Sequence, residues 1–176
     1  MHRLSDGSEV LSAFVITVSD RSARGERADV SGPRAVALLE GAGFQTDSAV
    51  VPDGVESVQQ ALTAAVDSGA RLVLTTGGTG VGRRDLTPEG TRPLIARELP
   101  GIAELLRREG ARHNPMAVIS RGLVGVTASD SRALIVNLPG SVAAVEEGLA
   151  VLLPITAHIL DQLSGGDHVS HEGKNH

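Results

Sequence analysis

Short apolar runs of strand length alternate with amphipathic stretches of helical length along most of the chain. Residues 13 to 18, AFVITV, form a nearly unbroken apolar run, the pattern of a parallel strand with helices on both faces. Residues 55 to 68 instead place apolar side chains at helical spacing, and Gly69 ends that segment. The same criteria predict further strands at residues 44 to 51, 72 to 75, 116 to 120, 122 to 127 and 133 to 137.

Helices are predicted between these strands, most of them bounded by Gly or Pro. The helix at residues 33 to 40 is expected to stop at Gly41. Another helix is predicted to start with Thr87 as its N-cap and Pro88 at its first position, and to reach residue 98. Pro154 is expected to break or kink the helix nearest the C-terminus. The remaining helical segments are predicted around residues 102 to 106 and from 142 to 163.

The alternation predicts one three-layer α/β domain, with a mostly parallel sheet and helices on both faces. The strands at 122 to 127 and 133 to 137, joined by polar ASDSR, predict a small β-hairpin addition. The domain is expected to span residues 13 to 163. A flexible N-terminal segment at 1 to 12 and a disordered polar tail at 164 to 176 flank it.

The composition excludes several classes of protein. The 176 residues contain no Cys, so neither disulfides nor thiolate chemistry can operate. A net charge of −5 argues against a nucleic-acid-binding surface, which needs clustered positive charge. No apolar run approaches the roughly 18 residues of a membrane span, and the N-terminus lacks the apolar core of a signal peptide. A cytoplasmic protein that binds neither nucleic acid nor membrane is expected.

A glycine-rich loop follows the strand at residues 72 to 75. Four of the six residues from 77 to 82 are Gly, so the backbone can turn sharply and bring its N–H groups close to an anion. Arg83 and Arg84 add positive charge and Asp85 adds a carboxylate, which indicates a phosphate bound together with a divalent cation. The loop is not a Walker A motif, because no Lys-Ser or Lys-Thr follows the glycines. A loop that only turns the chain, with solvated arginines, is the alternative.

Two further aspartates stand where predicted strands end. Asp20 follows the strand at 13 to 18, and Asp53 follows the strand at 44 to 51. Ligands of doubly wound folds bind beyond the carboxyl ends of parallel strands, which would place both aspartates beside Asp85. The pattern alone leaves other roles open: Asp20 could cap a turn, and Asp53 could be the N-cap of the following helix, which the pattern favours.

The sequence TTGGTG followed by RRDLTPE closely resembles the signature of the molybdopterin-binding family that contains the Mog and MoaB proteins and the G domain of gephyrin. The similarity extends to a TVSD strand end, a D-x-S-G-P sequence before the first helix, a VPD turn, a Ser-Arg pair and an NLPG turn. It covers roughly residues 13 to 163. The resemblance implies the same α/β fold and a role in molybdenum cofactor biosynthesis.

The resemblance implies transfer of AMP from MgATP to molybdopterin, which gives adenylylated molybdopterin and pyrophosphate. A MoaB-like pterin-binding oligomer with little or no transferase activity is the alternative. Mg²⁺ is the implied cofactor and ATP a substrate. The resemblance also implies a homo-oligomer, most often a trimer and in MoaB-like members a hexamer, and a molybdenum insertase as a possible partner.

The resemblance also assigns roles to individual residues. Asp53 and Asp85 are implied as catalytic residues and as Mg²⁺ ligands. The nucleotide is expected near Ser19, Asp20, Ser31 and Gly32. The pterin substrate is expected to contact Thr76, Gly77, Gly78, Thr79, Gly80, Ser120, Asn137, Pro139 and Gly140. An insertion around residues 129 to 131 departs from the family pattern, so no function is carried over to Arg132.

Overall fold

A six-stranded mixed sheet forms the centre of the computed structural model, which describes residues 11–128 and 132–165. Its strands are β1 (Ser12–Val18), β2 (Gln45–Val51), β3 (Leu72–Thr76), β4 (Arg97–Glu98), β5 (Val124–Val126) and β6 (Leu134–Leu138). They lie in the order β2, β1, β3, β6, β5, β4. The first four in that order run parallel to one another, whereas β5 pairs antiparallel with β6 and β4 pairs antiparallel with β5. The predicted mostly parallel sheet with a hairpin addition is confirmed.

Helices cover both faces of the sheet. They are α1 (Asp20–Ala23), α2 (Ser31–Gly41), α3 (Val55–Asp67), α4 (Thr87–Thr91), α5 (Pro100–His113) and α6 (Val142–Leu163), with 3₁₀ turns at Arg92–Leu94 and Pro115–Ile119. α2, α5 and α6 pack against one face, and α3 packs against the other. The predicted three-layer α/β architecture is therefore confirmed.

Successive side chains of the central strands enter two separate apolar clusters. In β3, Leu72 and Leu74 pack with α2, α5 and α6, whereas Val73 packs with α3. The exposed fraction of each of these three side chains is 1% or less. Because both faces are covered, most positions of such a strand are apolar, which explains the nearly unbroken apolar runs in the sequence. β2 lies at the edge of the sheet and is correspondingly more exposed.

The segment after the glycine loop differs from the predicted helix that reaches residue 98. α4 ends at Thr91, a 3₁₀ turn follows at Arg92–Leu94, and the chain then forms β4. Pro93 lacks the N–H that would continue an α-helix. The Ala96 N–H donates instead to the Val126 carbonyl at 2.9 Å. The prediction is wrong because pairing with β5 takes the backbone groups that a longer helix would need.

The predicted strand at residues 116 to 120 is also wrong. This segment forms the 3₁₀ turn Pro115–Ile119, whose start is capped by Asn114. The Asn114 side-chain oxygen accepts a hydrogen bond from the Met116 N–H at 3.1 Å. Pro115 presets a turn conformation and cannot donate to a sheet, so the local chemistry overrides the apolar run.

Two helices in the C-terminal half differ from their predictions, one in its length and one in its continuity. α5 has 14 residues and begins at Pro100, so it is longer than the segment predicted around residues 102 to 106. α6 is continuous through Pro154, so the predicted break is wrong. By length and composition alone α6 could cross a membrane, which corrects the expectation that no such segment exists. Val145 and Leu149 of α6 are buried in the core, as in the core helix of a folded domain.

The described chain begins inside the predicted N-terminal segment. Ser12 is the first residue of β1, and Leu11 packs against the core. Residues 1–10 and 166–176, which hold the rest of the predicted flexible N-terminus and disordered tail, lie outside the described residues. Residues 129–131 of the predicted hairpin connection also lie outside them.

Asn137 of β6 connects the sheet to α4 and to the segment before β5. Its side-chain nitrogen donates to the hydroxyls of Thr75, at 2.9 Å, and Thr91, at 3.0 Å. Its side-chain oxygen accepts from the Leu123 N–H at 3.1 Å. Asn137 is only 3% exposed and its partners Thr75 and Thr91 are fully buried, so these polar groups depend on one another for their hydrogen bonds.

We expect Asn137→Ala to lower the free energy of unfolding by roughly 2 to 4 kcal/mol, because it leaves several buried polar groups without a partner. Urea unfolding monitored by circular dichroism measures the change. Asn114→Ala is the matched control: Asn114 is exposed and makes one side-chain bond to a backbone N–H, so its loss should cost less than about 1 kcal/mol. Equal losses in the two variants would contradict the role assigned to Asn137.

Candidate active site

The glycine loop begins at the carboxyl end of β3, between β1 and β6. Gly77 and Gly78 have φ angles of +104° and +65°, in the region that favours glycine. A β-carbon placed on Gly77 would lie 2.3 Å from the Val18 carbonyl oxygen, and one on Gly78 would lie 2.3 Å from Thr87 Oγ1. Glycine is therefore required here both by the backbone conformation and by the close packing of its neighbours.

Thr87 holds the loop from the start of α4. Its hydroxyl donates to the Gly77 carbonyl at 2.9 Å, and its N–H donates to the Gly78 carbonyl at 3.1 Å. Thr87 is fully buried and is the first residue of α4, while Leu86 occupies the N-cap position. The predicted N-cap role of Thr87 is wrong because its hydroxyl bonds across the loop instead of to its own helix.

The carboxylates of Asp53 and Asp85 lie against the same loop. Asp85 Oδ2 accepts a hydrogen bond from the Gly82 N–H at 2.9 Å. A β-carbon on Gly80 would lie 2.8 Å from that oxygen, and a β-carbon on Gly78 would lie 3.3 Å from Asp53 Oδ1. The structure thus brings the two expected catalytic carboxylates to loop positions only two residues apart.

Asp20 lies beside Asp53, and each of the two aspartates donates its N–H to the carboxylate of the other. The Asp20 N–H donates to Asp53 Oδ2 at 2.8 Å, and the Asp53 N–H donates to Asp20 Oδ1 at 3.1 Å. Arg84 donates to both carboxylate oxygens of Asp20 and to the Asp53 carbonyl. The hydrogen bond from Arg84 lowers the pKa of the Asp20 carboxyl. The alternative of Asp53 as an N-cap is not observed, because Gly54 occupies that position of α3.

A cavity of about 470 Å³ opens beside the loop. Its apolar wall is formed by α5, the 3₁₀ turn Pro115–Ile119 and the start of α6, and its polar side by the loop and Asp85. The residues of the predicted pterin site that line it are Gly77, Gly78, Thr79, Gly80, Ser120, Asn137, Pro139 and Gly140. Asp53 and Thr76 are not among its lining residues.

Two of these lining residues use their side chains within the protein. Both hydrogens of the Asn137 amide are accounted for by its bonds to threonine hydroxyls, so Asn137 shapes the cavity wall. Ser120 Oγ accepts from the Gly122 N–H at a longer 3.3 Å. The hydroxyl hydrogen of Ser120 can still turn towards a ligand.

A second cavity of about 330 Å³ lies on the other side of Gly140, which lines both cavities. Ser19 and Ser31, expected near the nucleotide, line this second cavity. Thr76, expected with the pterin substrate, lines it as well. Its hydroxyl lies 3.2 Å from Ser31 Oγ and 3.1 Å from the Pro139 carbonyl oxygen. The hydroxyl therefore forms hydrogen bonds with neighbouring protein groups and does not face the larger cavity, where the pterin contact was expected.

Asp20 and Gly32 are not among the lining residues of the second cavity, and their positions have structural reasons. The Gly32 N–H donates to Asp29 Oδ1 at 3.0 Å. A β-carbon on Gly32 would lie 2.2 Å from Asp29 Oδ2 and 2.4 Å from Thr17 Oγ1. The small residue therefore lets α2 begin close to β1. Ser19 caps the short helix α1 by accepting a hydrogen bond from the Ser22 N–H at 3.2 Å.

Sequence reasoning missed two arginines of the site. Arg121 binds the glycine loop through its side chain and its N–H. Arg107 lines the larger cavity and donates to the carbonyls of Ser120 and Gly122 at 3.4 and 3.2 Å. The Ser-Arg pair carried a signal for Arg121. Arg107 stands in a basic run near a helix end, a pattern more typical of solvated residues.

Asp53 and Asp85 have the donor chemistry that Mg²⁺ prefers. Within residues 11–128 and 132–165, no group of three or more His, Asp or Glu side chains is arranged to hold a metal ion. Mg²⁺ is commonly bound by one or two carboxylates, with phosphate oxygens and waters completing its shell. Asp53 and Asp85 fit this donor set, whereas Asp20 is already paired with Arg84.

Comparisons with known proteins agree with the geometry. A family model described as "Probable molybdopterin binding domain" matches residues 14–158. The molybdopterin adenylyltransferase of Pyrococcus furiosus is 42% identical over 148 residues, which cover 83% of this chain and 87% of the relative. Gephyrin of Dictyostelium discoideum is 38% identical over 157 residues, 83% of this chain, but the chain spans only 21% of gephyrin. The crystal structure of the Mog protein from Mycobacterium ulcerans is 42% identical, with a TM-score of 0.83 over 90% of this chain and 99% of that chain.

The family match includes the glycine loop, both loop carboxylates and Arg121. It covers well over half of the 176 residues, and the structural similarity extends over nearly the whole described fold. The chain therefore belongs to the molybdopterin-binding domain family of molybdenum cofactor biosynthesis.

Proposed function

We propose that this protein transfers the adenylyl group of ATP to the terminal phosphate of molybdopterin and releases pyrophosphate. The observation that carries the proposal is the glycine loop itself, which borders an apolar cavity and has Asp53 and Asp85 lying against it. Relatives named molybdopterin adenylyltransferase support the same reaction.

The larger cavity suits a flat heterocycle that carries a phosphate. Its wall includes Leu106 and Met116, which can contact an aromatic ring system, while the Gly77 to Gly80 backbone lies at its polar side. Backbone N–H groups of such a loop can bind a phosphate without placing a charged side chain beside it. In this proposal the pterin lies between α5 and α6, with its phosphate at the loop.

The nucleotide is proposed to approach from the side of the smaller cavity. Arg27, Ser19 and Ser31 line that cavity, and Gly140 separates it from the larger one. An oxygen of the molybdopterin phosphate attacks the α-phosphorus of ATP, one P–O bond forms, and the bond to the departing pyrophosphate breaks. The residues lining the larger cavity include no Cys or His, in keeping with direct transfer and no covalent enzyme intermediate.

The carboxylates of Asp53 and Asp85 would complete the site by holding Mg²⁺ beside the phosphates. Mg²⁺, when bound there, would neutralise phosphate charge and favour attack on the α-phosphorus. Backbone N–H groups orient the two carboxylates: the Gly82 N–H donates to Asp85, and the Asp20 N–H donates to Asp53. Holding two anions at the correct separation accounts for much of the rate enhancement of such reactions.

The family resemblance motivates three further proposals. The protein would act in the cytoplasm, as a homotrimer or a hexamer, and would pass its product to a molybdenum insertase. The alternative reading, a pterin-binding oligomer without transferase activity, predicts bound pterin but no adenylylated product. Two carboxylates beside an anion-binding loop favour the enzyme, because a protein that only binds an anion gains nothing from them.

Incubation of the purified protein with molybdopterin and MgATP, followed by chromatography, tests the proposal. Adenylylated molybdopterin and an equal amount of pyrophosphate are expected. Pterin binding without either product, at any Mg²⁺ concentration that keeps ATP complexed, would favour the pterin-binding alternative.

The proposal predicts that Asp85→Asn reduces adenylyl transfer about 100-fold or more while the protein stays folded, because the residue lies in a polar loop. Asp67→Asn, which makes the same chemical change at the end of α3, is the control and should retain full activity. Near-normal turnover of the Asp85 variant would remove that residue from the mechanism. Asp53→Asn is expected to behave as the Asp85 variant does.

The ion pair on the rim generates a prediction about pH. Arg84→Met should raise the pKa of the Asp20 carboxyl towards its ordinary value of 3.8, because the hydrogen bond from Arg84 is the largest cause that lowers it. The pKa of Glu26 should stay low, since its hydrogen bond comes from Arg24. Carboxyl ¹³C NMR titration measures both.

The sign of the linked stability change follows from the lowered pKa of Asp20. In the wild type the pair stabilises the folded state above pH 3.8, and this contribution is lost as the pH falls through the lower folded-state pKa. Arg84→Met should therefore show a shallower loss of stability below pH 3.8 than the wild type. An unchanged Asp20 pKa in the variant would contradict the pairing.

A further inference from the structure

The side chain of Arg121 connects the glycine loop at Gly80 with Asp85 and with α4. Its Nε donates to the Gly80 carbonyl at 2.8 Å, and one Nη donates to the Asp85 carbonyl at 2.5 Å. Its other Nη donates to the carboxylate of Glu89 on α4. The Arg121 N–H donates in addition to the Thr79 carbonyl at 2.9 Å. One residue outside the loop thus binds three of its carbonyls.

The two carbonyls bound by the Arg121 side chain, those of Gly80 and Asp85, lie at the two ends of the segment that orients the Asp85 carboxylate. Between Gly80 and Asp85 lies Gly82, whose N–H donates to Asp85 Oδ2. Gly80 and Gly82 give this segment little conformational preference of its own, so contacts from outside add to the local bonds between Gly82 and Asp85 in fixing its shape. A planar guanidinium offers its N–H groups in fixed directions, which suits the simultaneous binding of two carbonyls and a carboxylate.

Stabilisation of the fold is a poor explanation for these contacts. The side chains of Arg121 and Glu89 are 37% and 42% exposed, and ion pairs with such exposure contribute little to stability. The carbonyl contacts, by contrast, fix the loop that carries a proposed catalytic carboxylate. The geometry is therefore more informative about the position of Asp85 than about the stability of the domain.

We infer that Arg121 is a positioning residue: it holds the Asp85 carboxylate in its reactive place by binding the carbonyls of Gly80 and Asp85. This inference rests on the adenylyl transfer proposed above. Glu89 serves as an outer partner, because its carboxylate oxygens accept hydrogen bonds from both Nη atoms of the guanidinium. Arg121 itself acts on the reaction through Asp85.

Arg121→Lys is the variant that tests the inference. It keeps the positive charge but removes the planar guanidinium, whose N–H groups bind both carbonyls and the Glu89 carboxylate at the same time. We expect kcat for adenylyl transfer to fall roughly 10- to 100-fold, as a displacement of about 1 Å can cause. The KM for MgATP should stay within about twofold, since the other phosphate contacts remain. The midpoint of thermal unfolding should stay within roughly 2 °C of the wild type.

Two further variants separate the carbonyl contacts from the ion pair. Glu89→Gln keeps an acceptor for Arg121 but removes the charge, and its kcat should stay within about threefold of wild type. Arg34→Lys alters another partly exposed Arg-Glu pair, between Arg34 and Glu146 at 2.6 Å, far along the chain from the loop. It should leave kcat and KM unchanged.

Amide hydrogen exchange of residues 77 to 89 gives a readout that needs no turnover. The Gly82 N–H should exchange faster in Arg121→Lys than in wild type, Glu89→Gln or Arg34→Lys. If Arg121→Lys loses stability, Arg121→Gln is measured in its place by the same two readouts. Unchanged exchange at Gly82 in both Arg121 variants would overturn the inference.

Failure of the inference is distinguishable from failure of the proposed function. A wild-type protein without adenylylated product removes the proposed function, and the inference with it. An active wild type with Arg121→Lys within twofold of its kcat, or with Glu89→Gln as impaired as Arg121→Lys, overturns the inference alone.

Discussion

Close backbone contact at the end of β3 is the constraint on which the rest of the structure depends. A β-carbon on Gly77 would lie 2.3 Å from the Val18 carbonyl oxygen, and one on Gly140 would lie 3.2 Å from Gly77 Cα. Because no side chain separates these segments, the ends of β1, β3 and β6 converge. Gly140 and Ser141 line both cavities at this point, so ligands bound in the two cavities would meet there.

Among the residues that the structure describes, the carboxylates around that point divide into those that form an ion pair with an arginine and those that do not. Asp20 pairs with Arg84, and Glu89 pairs with Arg121. The pKa of each of these carboxyls is lowered chiefly by the hydrogen bond from its arginine. Asp53 and Asp85 instead accept hydrogen bonds from backbone N–H groups, which orient a carboxylate without neutralising it. That difference supports the choice of these two for the chemistry.

Sequence predicted the layers and the glycine loop because apolar runs and glycines are local signals. It failed where distant pairing decides the outcome, as in the expected helix that β4 replaces to pair with β5. The carbonyl of Gly80 lies 41 positions from Arg121, and no local pattern encodes that contact. Family resemblance named Thr76 and Asn137 as ligand contacts, but hydrogen bonds inside the protein engage the hydroxyl of one and the amide of the other.

We propose that the glycine loop and its two carboxylates form one reaction centre. Diffraction from crystals soaked with molybdopterin, Mn²⁺ and an ATP analogue that resists cleavage at the α-phosphorus tests it most directly. We expect an anomalous Mn²⁺ peak within about 2.5 Å of an Asp53 or Asp85 carboxylate oxygen, with the pterin phosphate at the loop. A nucleotide and metal bound away from the loop, with both carboxylates free, would contradict it.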